Sequence, residues 1–297
     1  MIRAIGAVLA VIGCMPGTVA AQNSRDRLLA DANAAYRSLH ATEAVRLYRQ
    51  YLALYPDRAD VRVFLGGALL NLNQFQTALE EAQRAIALDP HYAKGYILAG
   101  RVSAARTQWD RAQEFFETAE RLDRRDVDAW YFSGRAFYDA NRFEQAVGAF
   151  EQALRAGAEQ SRVYENLGLA EDGLGQFAAA EKSFRKAVEL ARGAWTPYLA
   201  YGAFLFRQTR PAESLRVLRQ ALALAPTAVA VRFELARVLY HENSLEEAAQ
   251  VLEPVKSSSE CRVHNLLVRI YLATGKSGPA EGEIKALENC ETAPGGP

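Results

Sequence analysis

Small residues return along this chain at a fixed interval. Ala44, Ala78, Ala112, Ala146 and Ala180 stand 34 residues apart, Ser214 and Ala248 continue the series, and Ala280 follows after 32. Four residues beyond most of these anchors comes a bulky side chain: Tyr48, Phe116, Phe150, Phe184, Leu218, Leu252 and Ile284, with Ala82 the small exception. Seven beyond stand Tyr51, Ala85, Ala119, Ala153, Ala187, Ala221, Val255 and Leu287. Steps of four and three return to one face of an α-helix, so every anchor predicts a helix with one apolar stripe. The small anchor lets a second helix approach closely. The bulky residue fills the space beside it.

A second helical pattern precedes each anchor. Leu65-Gly66, Ala99-Gly100, Ser133-Gly134, Leu167-Gly168 and Tyr201-Gly202 recur at one offset, with Tyr96, Trp130, Tyr164 and Tyr198 three residues ahead. Glycine in the pair removes bulk where two helices cross. Asn73, Thr107, Asn141, Gly175, Thr209, Asn243 and Gly275 fall between the helices. Glycine and asparagine accept the left-handed conformation that ends a helix, threonine less readily. Pro56, Pro90 and Pro226 mark the ends of three second helices, where a missing N–H does no harm. No stretch of alternating polarity competes as a strand.

With these residues the chain resembles the tetratricopeptide repeat family, a 34-residue helix–turn–helix. The resemblance covers roughly residues 25–294, as eight repeats beginning near Arg25, Ala59, Ala93, Val127, Ser161, Trp195, Val229 and Cys261. It implies an all-α, right-handed α-solenoid of about eight helix pairs, with stability close to a sum of nearest-neighbour terms. Two departures carry expectations. Asp31-Ala32 replaces the glycine pair in the first repeat, as in a capping repeat. Pro254 falls inside the seventh repeat's second helix, which is therefore expected to be short or kinked.

The first 21 residues depart from this pattern. Arg3 precedes an uncharged apolar run, Ala4 to Ile12, too short for a stable membrane anchor. Pro16 and Gly17 are expected to break its helix, and Val19 and Ala21 suit cleavage before Gln22. The expectation is a signal peptide over 1–21 and a repeat domain over 22–297, in the periplasm or secreted. Val11-Ile12-Gly13-Cys14 also resembles a lipobox. Cleavage before Cys14 would instead give a lipoprotein on the outer membrane, and only then would a membrane be a partner.

Composition narrows the chemistry. The 35 basic and 35 acidic residues balance, which argues against a nucleic-acid carrier with a broad cationic surface. Cys261 and Cys290 sit at the start of the last repeat's first helix and the end of its second, neighbouring ends in an antiparallel pair. In an oxidising compartment they could form a disulfide worth roughly 3–4 kcal/mol; two free thiols are the alternative. A zinc site adding His264 lacks a fourth ligand. The four histidines do not cluster, and no haem, zinc-protease, phosphate-loop or nucleophile-elbow motif is present. Glu80-Glu81 and Glu246-Glu247 read as solvated helix faces. No catalytic residue, metal or cofactor is expected.

In the family, the first helices of successive repeats line a groove that usually receives a peptide or another protein, through positions 2, 5, 9 and 12. Position 9 carries Arg101, Arg135, Arg237 and Arg269. Position 5 carries Ile97, Tyr131, Leu199 and Phe233, and position 12 carries Tyr36, Tyr138, Phe206 and Tyr240. Arginine with aromatics is interface chemistry, a planar donor for carboxylates beside rigid apolar area. Two clusters result: Arg101, Tyr131, Arg135 and Tyr138; and Phe206, Phe233, Arg237, Tyr240 and Arg269. Arginine outnumbers lysine 29 to 6 among the basic residues, so ordinary exposed arginines are the plainer reading. Asp128, Glu165 and Asp172 could neutralise some of them. The chaperone-type carboxylate clamp is incomplete, since Leu29 precedes Asn33 and Lys94 does not restore it. The expected function is a non-catalytic binding scaffold in cell-envelope assembly or export, taking an acidic protein or peptide. A lipid-anchored outer-membrane assembly factor and a solenoid binding anionic glycans are the other readings.

Overall fold

The structure, a computed structural model, describes residues 16–291. The apolar run Ala4 to Ile12 and Cys14 lie outside the described residues. Sixteen α-helices follow one another, two for each repeat, with no strand among the described residues. They are α1 (Pro16–Arg37), α2 (Ala41–Leu54), α3 (Ala59–Asn71), α4 (Phe75–Leu88), α5 (Ala93–Ala105), α6 (Trp109–Leu122), α7 (Val127–Asp139) and α8 (Phe143–Arg155). The second half continues with α9 (Ser161–Gly173), α10 (Phe177–Glu189), α11 (Thr196–Arg207), α12 (Pro211–Leu224), α13 (Val229–His241), α14 (Leu245–Leu252), α15 (Cys261–Ala273) and α16 (Ser277–Glu291). This is the expected all-α solenoid architecture of eight helix pairs. α1 is described from Pro16 onward and runs through Gly17; the segment that Pro16 was expected to end lies outside the described residues. The chain divides into two compact units, one ending at Ala136 and the other starting at Phe137.

The anchors form the seams of the helix pairs. All eight are 0–1% exposed, from Ala44 to Ala280. A side chain added at Gly100 would meet the Phe116 ring at 2.7 Å, at Gly168 the Phe184 ring at 3.0 Å, and at Gly202 Leu218 at 2.6 Å. Each glycine is thus the recess that receives its own repeat's bulky residue. Ala82 explains itself the same way. With no large side chain there, Leu98 of the next repeat fills the recess at Gly66.

The predicted turn residues all take positive φ, including Asn73 (56°), Thr107 (58°), Gly175 (73°) and Asn243 (58°). The strained threonines Thr107 and Thr209 each turn their hydroxyl onto the preceding carbonyl at 2.7 Å. Leu39 does the same job in the first repeat at φ 59°, with 79% of its side chain exposed.

The seventh repeat behaves as its proline requires. α14 stops at Leu252 after eight residues, and Glu253–Val255 tightens into a 3-10 turn. The eighth departs from expectation. Ile284 lies 39% exposed, and the buried residue of that turn is Glu283, at 3%. Val268 stands where other repeats carry glycine, so no recess exists for Ile284. Glu283 turns inward instead and meets His264 Nδ1 at 2.7 Å. His264 Nε2 lies 3.0 Å from the Ser258 carbonyl oxygen.

Candidate arginine–aromatic interface

First helices of neighbouring repeats touch along a regular diagonal. In the C-terminal unit, Arg237 of α13 lies over Phe206 of α11, its Cζ 4.9 Å from the ring centroid. Arg269 of α15 lies over Tyr240 of α13 at 4.9 Å, and Arg262 of α15 over Phe233 at 4.8 Å. Each arginine stands one helical turn earlier in its repeat than the aromatic it covers. The separations are therefore 31 residues, or 29 across the two-residue contraction. Thr196 follows the same rule, its hydroxyl 3.3 Å from the Glu165 carboxylate 31 residues before it. A guanidinium over a ring face can still donate through its N–H edges.

The charges around these arginines are unequal. Arg237 donates to Glu234 at 2.6 and 3.0 Å. Arg262 donates to Glu260 at 2.7 Å. Arg269, which is exposed, has no carboxylate within ion-pair distance among the described residues. Asp172, expected to neutralise a position-9 arginine, holds Arg207 instead. Phe233, Arg237, Arg262, Asn265 and Arg269 line one open cleft of 290 Å³ together with Leu266 and Leu287. The structure thus brings together all five residues of the second predicted cluster as a ladder of stacked pairs, and adds Arg262 and Asn265.

Of the first cluster, Arg101, Tyr131 and Arg135 fall in the N-terminal unit and Tyr138 in the C-terminal unit. In the N-terminal unit, Arg101 stacks at 4.3 Å on Phe132, not on Tyr131. Here the aromatic belongs to the later repeat, but the separation is again 31. Tyr131 is only 6% exposed and packs edge-on against Phe132, so it belongs to the core. Ile97, the matching residue of the repeat before, is buried too, at 5%. Arg135 is exposed on α7. Tyr138 belongs to the C-terminal unit, half-buried against Phe143 at 5.6 Å.

The N-terminal unit carries a second feature that single positions did not reveal. Phe64 lies 39% exposed, flanked edge-on by Tyr36 at 6.2 Å and stacked on Tyr48 at 6.1 Å. Gly67 makes room for the Tyr36 hydroxyl, which an added Cβ would meet at 2.6 Å. Tyr48 donates to Asn33 at 2.7 Å, and burial raises its phenol above the ordinary range. Tyr36 and Gly67 are again 31 apart, so this contact was present in the sequence as a pairing and not as a position.

Cys261 and Cys290 stand paired in disulfide geometry, with Cα atoms 5.6 Å apart. Among the described residues no group of three metal-ligating side chains occurs, and no helix is long and apolar enough to cross a membrane.

Sequence profiles of the tetratricopeptide repeat match residues 29–93, 97–147 and 133–194, and a further one matches 205–259. Anaphase-promoting complex subunit 3 of Schizosaccharomyces pombe is 25% identical over 161 residues, 54% of this chain and 24% of that protein. Type IV pilus assembly protein PilF of Pseudomonas aeruginosa is 25% identical over 157 residues, 51% of this chain and 61% of that one. In the crystal structure of the APC/C hetero-tetramer Cut9–Hcn1, a chain superposes with a TM-score of 0.66 at 17% identity, over 91% of this chain and 53% of its own length. The chain thus spans between a quarter and two thirds of these relatives, and the structural likeness is one of fold.

Proposed function

The chain belongs to the tetratricopeptide repeat family, and from that premise we propose that it is a non-catalytic scaffold that binds another protein through an acidic or carboxylate-ended segment. The single observation that carries this reading is Arg269. It is exposed, lies over the Tyr240 ring, is without a carboxylate of its own among the described residues, and shares a cleft with Arg237 and Arg262. An incoming carboxylate supplies the missing charge, and its planar oxygens match the guanidinium edge. Phe233, Leu266 and Leu287 offer the apolar contact that gives such a segment affinity beyond charge. A preformed face of rigid helices limits the ordering that binding requires.

The relatives are named as parts of assemblies, a complex subunit and a pilus assembly protein. Together with the apolar N-terminal run and the Cys261–Cys290 pair, they support a place in cell-envelope assembly, in the periplasm or outside the cell, with the cysteines bonded there.

The test is titration calorimetry of the full chain with an acidic peptide ending in a free carboxylate, at low salt. Replacing Arg237 and Arg269 by alanine together should weaken binding by about tenfold or more, and added salt should weaken the parent complex. Equal affinity for parent and variant would remove the reading.

A further inference from the structure

A different surface of the C-terminal unit carries an unanswered hydrogen-bond acceptor. Position 11 of the repeat is a core position. It holds Leu69, Leu205 and Leu239 at 0–1% exposure, Ser103 at 1% and Tyr271 at 7%. In the fifth repeat the same position is Glu171, which is 9% exposed. Ser183 of α10 hydrogen-bonds this carboxyl. Its Oε2 is buried with no hydrogen-bond partner. Burial pushes the carboxyl above its ordinary value, and the Ser183 contact pulls it partly back. Leucine here would simply pack, as it does in three other repeats. A buried carboxyl left half-satisfied destabilises the fold and calls for an explanation.

The space over Glu171 supplies one. A cleft of 910 Å³ opens there, walled by α8 and α10 with α9 as its floor. Leu154, Tyr164 and Leu167 give it apolar surface. Ala178 and Ala179 open its α10 wall, where the repeats on either side carry Glu144-Gln145 and Ala212-Glu213. Two small side chains admit a close approach that the neighbours' longer ones would obstruct. The lining has four carboxylates and three cations. Lys186 is taken by Glu189 at 2.7 Å, and Arg185 by Glu181 at 2.7 Å. Glu151 and Glu181 are held from outside the cleft as well, by Arg155 at 3.6 Å and Arg210 at 2.8 Å, and Lys182 stands near Glu171. The acceptor left over is the buried Glu171 oxygen.

We propose that this cleft is a second docking site, for an apolar segment of a partner protein that carries a lysine or arginine, whose head group pairs with Glu171. Its chemistry is opposite to that of the arginine–aromatic face, and it does not depend on that face binding anything. One protein with an acid-seeking face and a base-seeking cleft can hold two different chains at once, as a scaffold requires.

The experiment uses the isotope-labelled full chain, followed by amide and methyl NMR. The probes are an end-capped leucine-alanine-arginine-alanine-leucine peptide and its twin with citrulline in place of arginine, which keeps the shape and removes the charge. The arginine peptide should shift the signals of Leu154, Leu167, Ala178 and Ala179. The citrulline peptide should bind about tenfold or more weakly. Glu171→Gln keeps the side-chain shape, should melt no lower than the parent, and should abolish the preference for arginine. Equal response to the two peptides, an unchanged preference in Glu171→Gln, self-association of the chain through these residues in place of peptide binding, or no shift at millimolar peptide would each overturn the proposal. Because the twin peptides are compared on the unaltered protein, their difference is read independently of how the variant folds.

Discussion

The fifth repeat and the eighth solve one problem in two ways. Both must clamp a pair of antiparallel helices. In the fifth, Phe184 is fully buried over the bare backbone of Gly168, and the clamp is apolar. In the eighth, Val268 fills the glycine's place and Ile284 is turned out. The clamp there is the buried His264–Glu283 contact at 2.7 Å, supported by Lys256 at 3.6 Å and by the Cys261–Cys290 pair. An apolar clamp needs only shape and works wherever glycine and a bulky residue coincide. A polar clamp needs every partner in place, because each buried group left alone destabilises the fold.

The strongest way to break this comparison is to empty the apolar clamp. Phe184→Ala should lower stability by about 3–5 kcal/mol, since the residue is fully enclosed and glycine opposite cannot collapse into the void. Urea denaturation of the full chain would read the loss. Because repeats stabilise their neighbours, protection from hydrogen exchange should fall in α9 to α12 together. A loss below about 1 kcal/mol would mean that the seam is held by something other than the buried ring.

The covalent part of the polar clamp comes next. Replacing Cys261 and Cys290 by serine should destabilise the last repeat by roughly 3–4 kcal/mol, the loop entropy released by a separation of 29 residues. Unlike the first variant, this one should act locally. Exchange should quicken in α15 and α16 while α9 and α10 keep their protection. A uniform loss along the C-terminal unit would show that the eighth repeat is not the semi-independent element its polar clamp suggests.

The same contrast explains what the sequence made legible. The period of 34, the buried anchors, the left-handed turns and the broken α14 all follow from local rules that repeat, so each copy supports the others. The eighth clamp has one counterpart, in the second repeat, where Arg62 meets Glu81 at 2.8 Å and also donates to the Pro56 carbonyl; Glu81, expected on a solvated face, is 5% exposed. Nothing in an apolar pattern points to a glutamate as the inward residue until His264 is placed opposite it. The arginine–aromatic face was read position by position, which grouped Phe206, Phe233, Arg237, Tyr240 and Arg269, side chains the structure also places near one another. It put Tyr131 on the face, although its ring turns into the core, and it passed over Phe132, Phe64 and Arg262. The missing signal was relational: side chains meet across repeats at one period less one turn. Read that way, Arg101–Phe132, Arg237–Phe206 and Arg262–Phe233 are visible in the sequence as pairs.

The smallest expected effect sharpens the contrast, because it concerns a polar group buried within the array without a full set of partners. Glu120 of α6 hydrogen-bonds Ser133 through its carboxyl, but its Oε1 is buried and unpartnered. Burial first, and then the charge of Glu117, push the carboxyl up from 4.5 to about 7, against the opposing pull of Ser133. The folded chain therefore holds this proton more tightly than the unfolded chain. Glu120 is harmless below pH 4.5, and stability is lost as pH rises through that value to about 7, where the loss is complete. Glu120→Gln removes the titration and keeps the shape. Parent and variant should be equally stable near pH 4, and the variant should be more stable at pH 8 by about 1–3 kcal/mol. All other titrating groups are common to both chains, so the difference between their urea curves across this range isolates one carboxyl. A flat difference would show that Glu120 ionises in the fold as easily as in the unfolded chain. The array would then tolerate a lone buried acid without the partnership that His264 provides for Glu283.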